Sequence, residues 1–370
     1  MNIVIFGLTL SSSWGNGHAT PYRAILRALW RMGHRVTFYE KDVPYYALHR
    51  DFSRCDFCGL VLYRNWADVS RRAIRDVRRA DVVINASYCP EGARIIDETR
   101  GDVTGLRVFY DLDTPITLSN LSRGDVDYLR RDQVIDFDLY LSFTGGQILR
   151  ELETEWGARM ARPLYGCVDP DIYQRVPEQA RFRCLLSYMG TYAADRQDKF
   201  DQLFLEPTRQ LPNQQFVLAG SLYPWEWHWP ENVRYFEHVS PGEHPAFYSS
   251  SRFTLNITRG DMARGGYCPS GRFFEAAACG APIISDWFDG LDSFFLPGRE
   301  IVIASQPEEV RDALQMSEQE RLAMAKCARE RTLAEHTGER RAQQLLEYLQ
   351  EAGRRATVHQ PRTISMEASS

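Results

Sequence analysis

The chain has 370 residues, 44% of them hydrophobic and 25% charged, with a formal net charge of −5 and an isoelectric point near 6.0. This is ordinary globular material, long for one core and comfortable for two α/β domains, and its charge balance gives no grip on bulk nucleic acid or an anionic membrane surface. No stretch approaches the roughly 18–20 apolar residues that span a bilayer, and the opening MNIVIFG reads as a first strand without the basic lead of a signal peptide, so a cytoplasmic protein is expected.

In chain order, apolar runs bounded by turn residues alternate with helical-period segments, the pattern of βα units and parallel sheets. Strands are predicted at 2–7, 35–40, 81–85, 106–110, 138–142 and 163–165, with helices at 21–32, 68–79 and 146–156. A linker with two prolines and no period, 166–178, follows. A second series begins near Cys184 with LLSYMG and continues through QFVLAG, NVRYF, FTLNIT, APIIS and EIVIA. Helices at about 307–336 and 338–352 close the chain, and the polar end from 353 is expected to fray. The expected organisation is two Rossmann-like units, 1–170 and 180–336, then a helix at 337–352 and a flexible tail at 353–370.

Among eight cysteines, Cys55 and Cys58 form a CxxC pair. A structural zinc site needs four ligands and no second knuckle follows, while a redox motif needs a thioredoxin-like setting that is missing. Reduced, mostly buried thiols are expected throughout.

Several loops stand where strands end, which is where open α/β sheets bind ligands. After the first strand, Trp14-Gly15-Asn16-Gly17-His18 precedes a helix. Gly15 and Gly17 with Glu40 superficially match a dinucleotide fingerprint, but the first glycine is far from the strand end and Thr20 replaces the third. The alternative is a glycine-rich acceptor loop in which His18, titrating near neutrality, deprotonates a hydroxyl; helix capping by His18 is the plainer option. Asp111-Leu-Asp113-Thr-Pro115 follows another strand. Such a DxD holds a metal in GT-A glycosyltransferases, a setting the second half of this chain does not fit; Asp113 is instead an acceptor-side or catalytic candidate, with Asp111 beside it, and turn formation the alternative.

The second series opens with Gly190-Thr191-Tyr192 and Arg196 at a strand's carboxyl end, a phosphate-site geometry. The strand holding Asn256 leads to Arg259, a second phosphate or sugar candidate. Tyr223 to Pro230, with three tryptophans, is a loop that stacks on a ring of the ligand or on the domain itself. At 268–303, Pro269 suits the first position of a helix, leaving the Ser270 and Gly271 amides free for an anion. Arg272 and Glu275, three apart, share a face suited to a phosphate and a ribose diol. The loop through Asp289, Gly290 and Leu291 follows the next strand. A capped helix feeding a core strand accounts for the same residue types.

The blocks RxFE (272–275), AAxCGAP, DGL (289–291) and FxPGxEI, in order over about 35 residues, resemble the donor half of GT-B glycosyltransferases, most closely the CgeB-like (spore maturation protein) group related to families 1 and 4. The resemblance implies a GT-B fold, two Rossmann-like domains facing each other across a cleft, with the final helix crossing back to the first. It implies that Glu275 is the second glutamate of EX7E, on the donor ribose, and that Arg196 in the G-T-Y-x-x-D-R block neutralises the diphosphate. Tyr267 occupies the place of the first glutamate and breaks the motif associated with retention. The implied activity is transfer of a sugar from a nucleotide sugar, a UDP-sugar foremost, to an unidentified acceptor, without metal or other cofactor. Rivals are a GT-B epimerase or phosphorylase and a non-catalytic nucleotide-binding protein. Oligomeric state is not legible.

Overall fold

The computed structural model describes residues 1–52, 54–124 and 126–359. Two parallel sheets organise it. In the first, β1 (Asn2–Gly7), β2 (Arg35–Lys41), β3 (Gly59–Tyr63), β4 (Val82–Ala86), β5 (Leu106–Asp111), β6 (Leu139–Ser142) and β7 (Ala161–Pro163) lie in the order β3-β2-β1-β4-β5-β6-β7. In the second, β8 (Cys184–Met189), β9 (Phe216–Ala219), β10 (Val233–Phe236), β11 (Ser251–Asn256), β12 (Ile283–Ser285) and β13 (Val302–Ile303) lie in the order β10-β9-β8-β11-β12-β13. In both sheets order reverses beside the first strand, the switch point at which a crevice opens.

Alternation along β1 shows why this is a sheet covered on both faces. Ile3 and Ile5 enter one core with the Ala19–Arg31 helix, while Val4 and Phe6 enter another with Trp66, Val69 and Ala73 of the Trp66–Val77 helix. The predicted strands reappear within one or two residues of their expected ends. β3 was not among the expected strands, although GLVLY is an apolar run. One expectation about the thiols fails: Cys55 and Cys58 are joined in a disulfide, and the other six cysteines are free. The turn between them brings their Cα atoms to 5.5 Å, within bridging range.

The segment expected as one helix at 307–336 is two, Pro307–Leu314 and Glu318–Glu335. Ser317 and Glu320 form a capping box that starts the second. The last helix, Gly338–His359, runs past the expected end at 352; residues 360–370 of the expected tail lie outside the described residues. Its Ala342, Leu345, Leu349 and Ala352 are buried in the same core as Tyr22, Ala24 and Ile25 of the Ala19–Arg31 helix. The chain thus passes between the sheets twice, and the passages pair: Val168 N–H donates to His336 O (3.1 Å) and Gly338 N–H to Val168 O (2.8 Å). Arg341 is buried there, donating to the carbonyls of Tyr165 (3.1 Å), Gly166 (3.2 Å) and Glu335 (3.1 Å) and to His336 Nδ1 (2.8 Å). Burial, then the Arg341 charge, push His336 down to about 3, so its neutral ring accepts that bond.

Close packing of the last helix onto the first domain is tightest at Gly338, where a Cβ would stand 2.5 Å from Ala24 O. Gly338→Ala is expected to lower unfolding free energy by about 1–3 kcal/mol through overpacking, checked by urea denaturation; an unchanged midpoint would mean this seam yields freely.

Candidate active site

A cleft of about 550 Å³ lies between the carboxyl ends of the two sheets. Its first wall is the loop after β1. Glu40, at the end of β2 and fully buried, accepts from the Leu10 and Ser11 amides (2.7 and 2.9 Å) and from the Thr9 hydroxyl (3.0 Å). This carboxylate is consumed in shaping the loop, so Glu40 is not the free ribose acceptor that a dinucleotide fingerprint requires. Beyond it, Asn16 Oδ1 accepts from the His18 amide (3.1 Å), and His18 Nε2 lies 3.1 Å from Asp113 Oδ2. Asp113 is the more accessible member, its side chain 22% exposed against 11% for His18.

Asp111 does not share the cleft with Asp113. It is buried beneath, accepting from Tyr140 Oη (2.7 Å), Thr117 Oγ1 (2.8 Å) and the Asp113 amide (3.1 Å), and so aims the Asp113 backbone. Burial pushes Asp111 up to about 6.

The opposite wall is built on β8, β11 and the Gly271–Ala278 helix. Ser270 caps that helix, its Oγ accepting from the Arg272 amide (3.4 Å), so Pro269 precedes the cap instead of opening the helix. Arg272 is committed to oxygens of the chain: Nε donates to Ser270 Oγ (2.9 Å), Nη1 to Met189 O and Nη2 to Ile257 O (3.5 Å), with the Tyr188 ring beneath. It ties the ends of β8 and β11 to the helix start. A Cβ on Gly190 would meet Arg272 Nη1 at 2.5 Å, which is why the turn after β8 needs glycine.

Arg196 differs. It is 8% exposed, donates to Thr191 O, and its Nε has no partner among the described residues. Burial pushes it below the usual arginine range, and the charges of Arg272 and Arg259 add to that. Arg259 is half-buried, and its near carboxylate is Asp195 at 3.5 Å. A desolvated guanidinium among other cations is costly unless an anion arrives, and the N-terminal end of the Gly271–Ala278 helix adds partial positive charge. Further along, Glu275 is buried with Oε2 3.5 Å from His244 Nδ1 and 3.4 Å from Tyr248 Oη.

Gly15, Asn16, Gly17, His18, Asp113, Gly190, Thr191, Tyr192, Arg196, Arg259, Ser270, Gly271, Arg272 and Glu275 therefore share one cleft. Six other candidates do not line it. Trp14 stacks on His49 (3.8 Å) and touches His238 (4.5 Å), bridging the sheets at the rim. Asn256 is buried behind, bonded to Ser285 Oγ (3.1 Å), and Asp111 lies as described. Asp289, Gly290 and Leu291 form a turn that supports Tyr267: the Tyr267 amide donates to Asp289 O (2.6 Å), Gly290 takes φ +82° to make room for the ring, and Leu291 is core. Tyr267 itself, at φ +46°, packs on Gly146 and Gly290 outside the cleft. In the aromatic loop, Tyr223, Trp227 and Trp229 pack on one another, and Tyr192, which lines the cleft, meets Tyr223 and Trp227. Missed altogether were Tyr88, Ser221, and Glu237 to Val239 with His244; the rule that ligands sit at strand carboxyl ends, applied to β10, would have found the Glu237 group. Among the described residues no group of three or more His, Cys, Asp or Glu is placed to hold a metal, and no helix is long and apolar enough to cross a membrane.

The model of a glycosyltransferase-like family matches residues 196–347, somewhat less than half of the chain. Solved structures match over nearly its whole length. A sucrose-phosphate synthase from Thermosynechococcus elongatus is 14% identical with a TM-score of 0.67, the match covering 96% of this chain and 99% of that one. The Anabaena protein HepE, solved with UDP-glucose, is 12% identical with a TM-score of 0.66, covering 95% and 100%. An α-glucosyltransferase solved with UDP-glucose and DNA containing an abasic site is 14% identical with a TM-score of 0.69, covering 95% and 99%. No curated protein matches by sequence. The fold is that of GT-B glycosyltransferases.

A carboxyl whose pKa is raised on folding stabilises the fold below its unfolded value, near 3.9, and loses that contribution as pH rises through its folded value, about 6 here. Wild type should therefore lose stability relative to Asp111→Asn between pH 4 and pH 7, by roughly 1–3 kcal/mol; parallel pH profiles in chemical denaturation would refute a buried, titrating Asp111.

Proposed function

We propose that this protein is a glycosyltransferase of the CgeB-like kind that moves a sugar from a nucleoside diphosphate, UDP foremost, to an acceptor hydroxyl. The observation that carries this reading is the opposition of a carboxylate–imidazole pair, His18–Asp113, to a buried guanidinium, Arg196, that has no carboxylate partner among the described residues, across one cleft. One end is equipped to take a proton and the other to receive a diphosphate. The neighbours solved with UDP-glucose and the glycosyltransferase-like match over the second half support the donor class.

In this reading the diphosphate lies at Thr191, Gly271, Arg196 and Arg259, and the ribose diol on Glu275. Arg272 shapes the site through the chain carbonyls it holds. The acceptor enters along Gly15 to Gly17. Asp113, the more exposed member of its pair, takes the acceptor proton, and His18 orients it by donating from Nε2. The acceptor oxygen bonds to the anomeric carbon as the bond from that carbon to the phosphate oxygen breaks. The electron pair leaves with the nucleoside diphosphate, whose charge the arginines and helix start stabilise. Closure of the cleft excludes water, the competing acceptor. Because guanidinium groups supply the positive charge, transfer should survive EDTA; loss restored by manganese or magnesium would count against this arrangement.

The primary test is calorimetric titration with UDP-, dTDP-, GDP- and ADP-sugars and with NAD and NADP, alongside a donor-hydrolysis assay. One nucleotide-sugar class should bind, with Glu275→Ala and Arg196→Ala each weakening it about 10- to 100-fold. Asp113→Asn should leave affinity unchanged and lower turnover about 10²- to 10⁴-fold. Binding of NAD or NADP alone would replace the reading, and isomerisation of the sugar without an acceptor would make the protein an epimerase.

A further inference from the structure

We infer that the donated sugar is a 6-deoxyhexose, or a hexose equally poor in hydroxyls at its non-anomeric end; the inference rests on the donor reading above. The part of the cleft between Asp113 and Gly271 is the space left for the sugar ring, since the proton acceptor bounds it on one side and the diphosphate's helix start on the other. Leu112 precedes Asp113 and lines the cleft. Phe143 reaches across from the end of β6: a Cβ on Gly166 would stand 3.0 Å from Phe143 Cζ and 3.5 Å from the Gly271 Cα, so ring and helix start are neighbours. Met262 and Cys268 complete the wall, their sulfurs 3.5 Å apart, and both are buried.

Thioether, thiol, phenyl and isobutyl groups make van der Waals contact with a methyl and bond a hydroxyl poorly or not at all. Cys268 is no hidden anion, because burial pushes its thiol up to about 12, with the Thr144 hydroxyl pulling the other way. The acids of the cleft are engaged elsewhere. Among the described residues lining the cleft, the acids are Asp113, Glu237 and Glu275; Asp113 is paired with His18, Glu275 lies beside His244 and Tyr248, and Glu237 follows β10 at the far end. Tyr267, one residue before Cys268, turns its ring out of the cleft onto Gly146 and Gly290 and offers the sugar nothing. A hydroxyl forced against this wall gives up its water without gaining a partner, whereas a methyl fills it.

The test uses the full chain and two donors that differ in one atom, UDP-glucose and UDP-6-deoxyglucose, or the dTDP pair if dTDP is the nucleotide bound. Hydrolysis kcat/KM without acceptor is measured for both, with affinity for the free nucleoside diphosphate measured in parallel. The expected result is a preference of about 10- to 100-fold for the deoxy donor. Met262→Gln, or Phe143→Tyr should the first variant fold poorly, should reduce that preference below about threefold with nucleotide affinity unchanged. Equal or reversed preference with the nucleotide bound overturns the sugar assignment alone, as does a preference that neither variant moves. Failure to bind any nucleoside diphosphate overturns the donor reading and this inference with it.

Discussion

The cleft depends on how the chain's two passages between the sheets are tied together, and the tie is one buried guanidinium. Arg341 takes carbonyl oxygens from both passages, Tyr165 and Gly166 on the first and Glu335 on the second, with neutral His336 as a further acceptor. Burying a cation without a carboxylate is tolerable only when its donors are satisfied, and here the fork of an arginine does what the single ammonium of a lysine does not. Parallel sheets present their loops at one end, so fixing these passages fixes which loops meet.

Across the cleft, charge is arranged asymmetrically. The first sheet supplies a carboxylate held by an imidazole, and the second supplies guanidinium groups that outnumber their acidic partners. Each side is shaped by a buried ion that never reaches the ligand space as a free group. Glu40 spends its oxygens on the loop after β1, and Arg272 spends its donors on the ends of β8 and β11. Charge-assisted bonds to backbone hold such loops in one conformation, so the groups left over, Asp113, Arg196 and Arg259, face each other from defined positions.

Much of this was legible because its signals are local. The alternation of apolar runs with helical periods gave two parallel sheets, and placement after strands or on one helix face singled out His18, Asp113, Arg196 and Glu275, which share one cleft. What escaped lacks a local signal. Asp111 and Asp113 look alike two residues apart, yet Asp111 ends its strand with the side chain in the core, while the chain turns into the Thr114–Leu121 helix at Asp113 and leaves that carboxylate at the surface of the cleft. Asp289 to Leu291 follow a strand as ligand loops do, but Gly290 is needed to accommodate the ring of Tyr267, a partner no spacing rule identifies. The Cys55–Cys58 bridge lacks a local signal too, because CxxC spacing suits free thiols, a metal knuckle or a disulfide alike.

The sequence by itself determined the two-sheet α/β organisation and the loops that carry chemistry, because periodicity and strand-end placement follow from backbone geometry that any segment of this composition obeys. Only the tertiary structure decided which polar groups are spent on the fold and which remain for a ligand. Glu40, Asp111 and Arg272 carry the same functional groups as Glu275, Asp113 and Arg196. Their hydrogen-bond partners, several of them far away along the chain, separate the two sets.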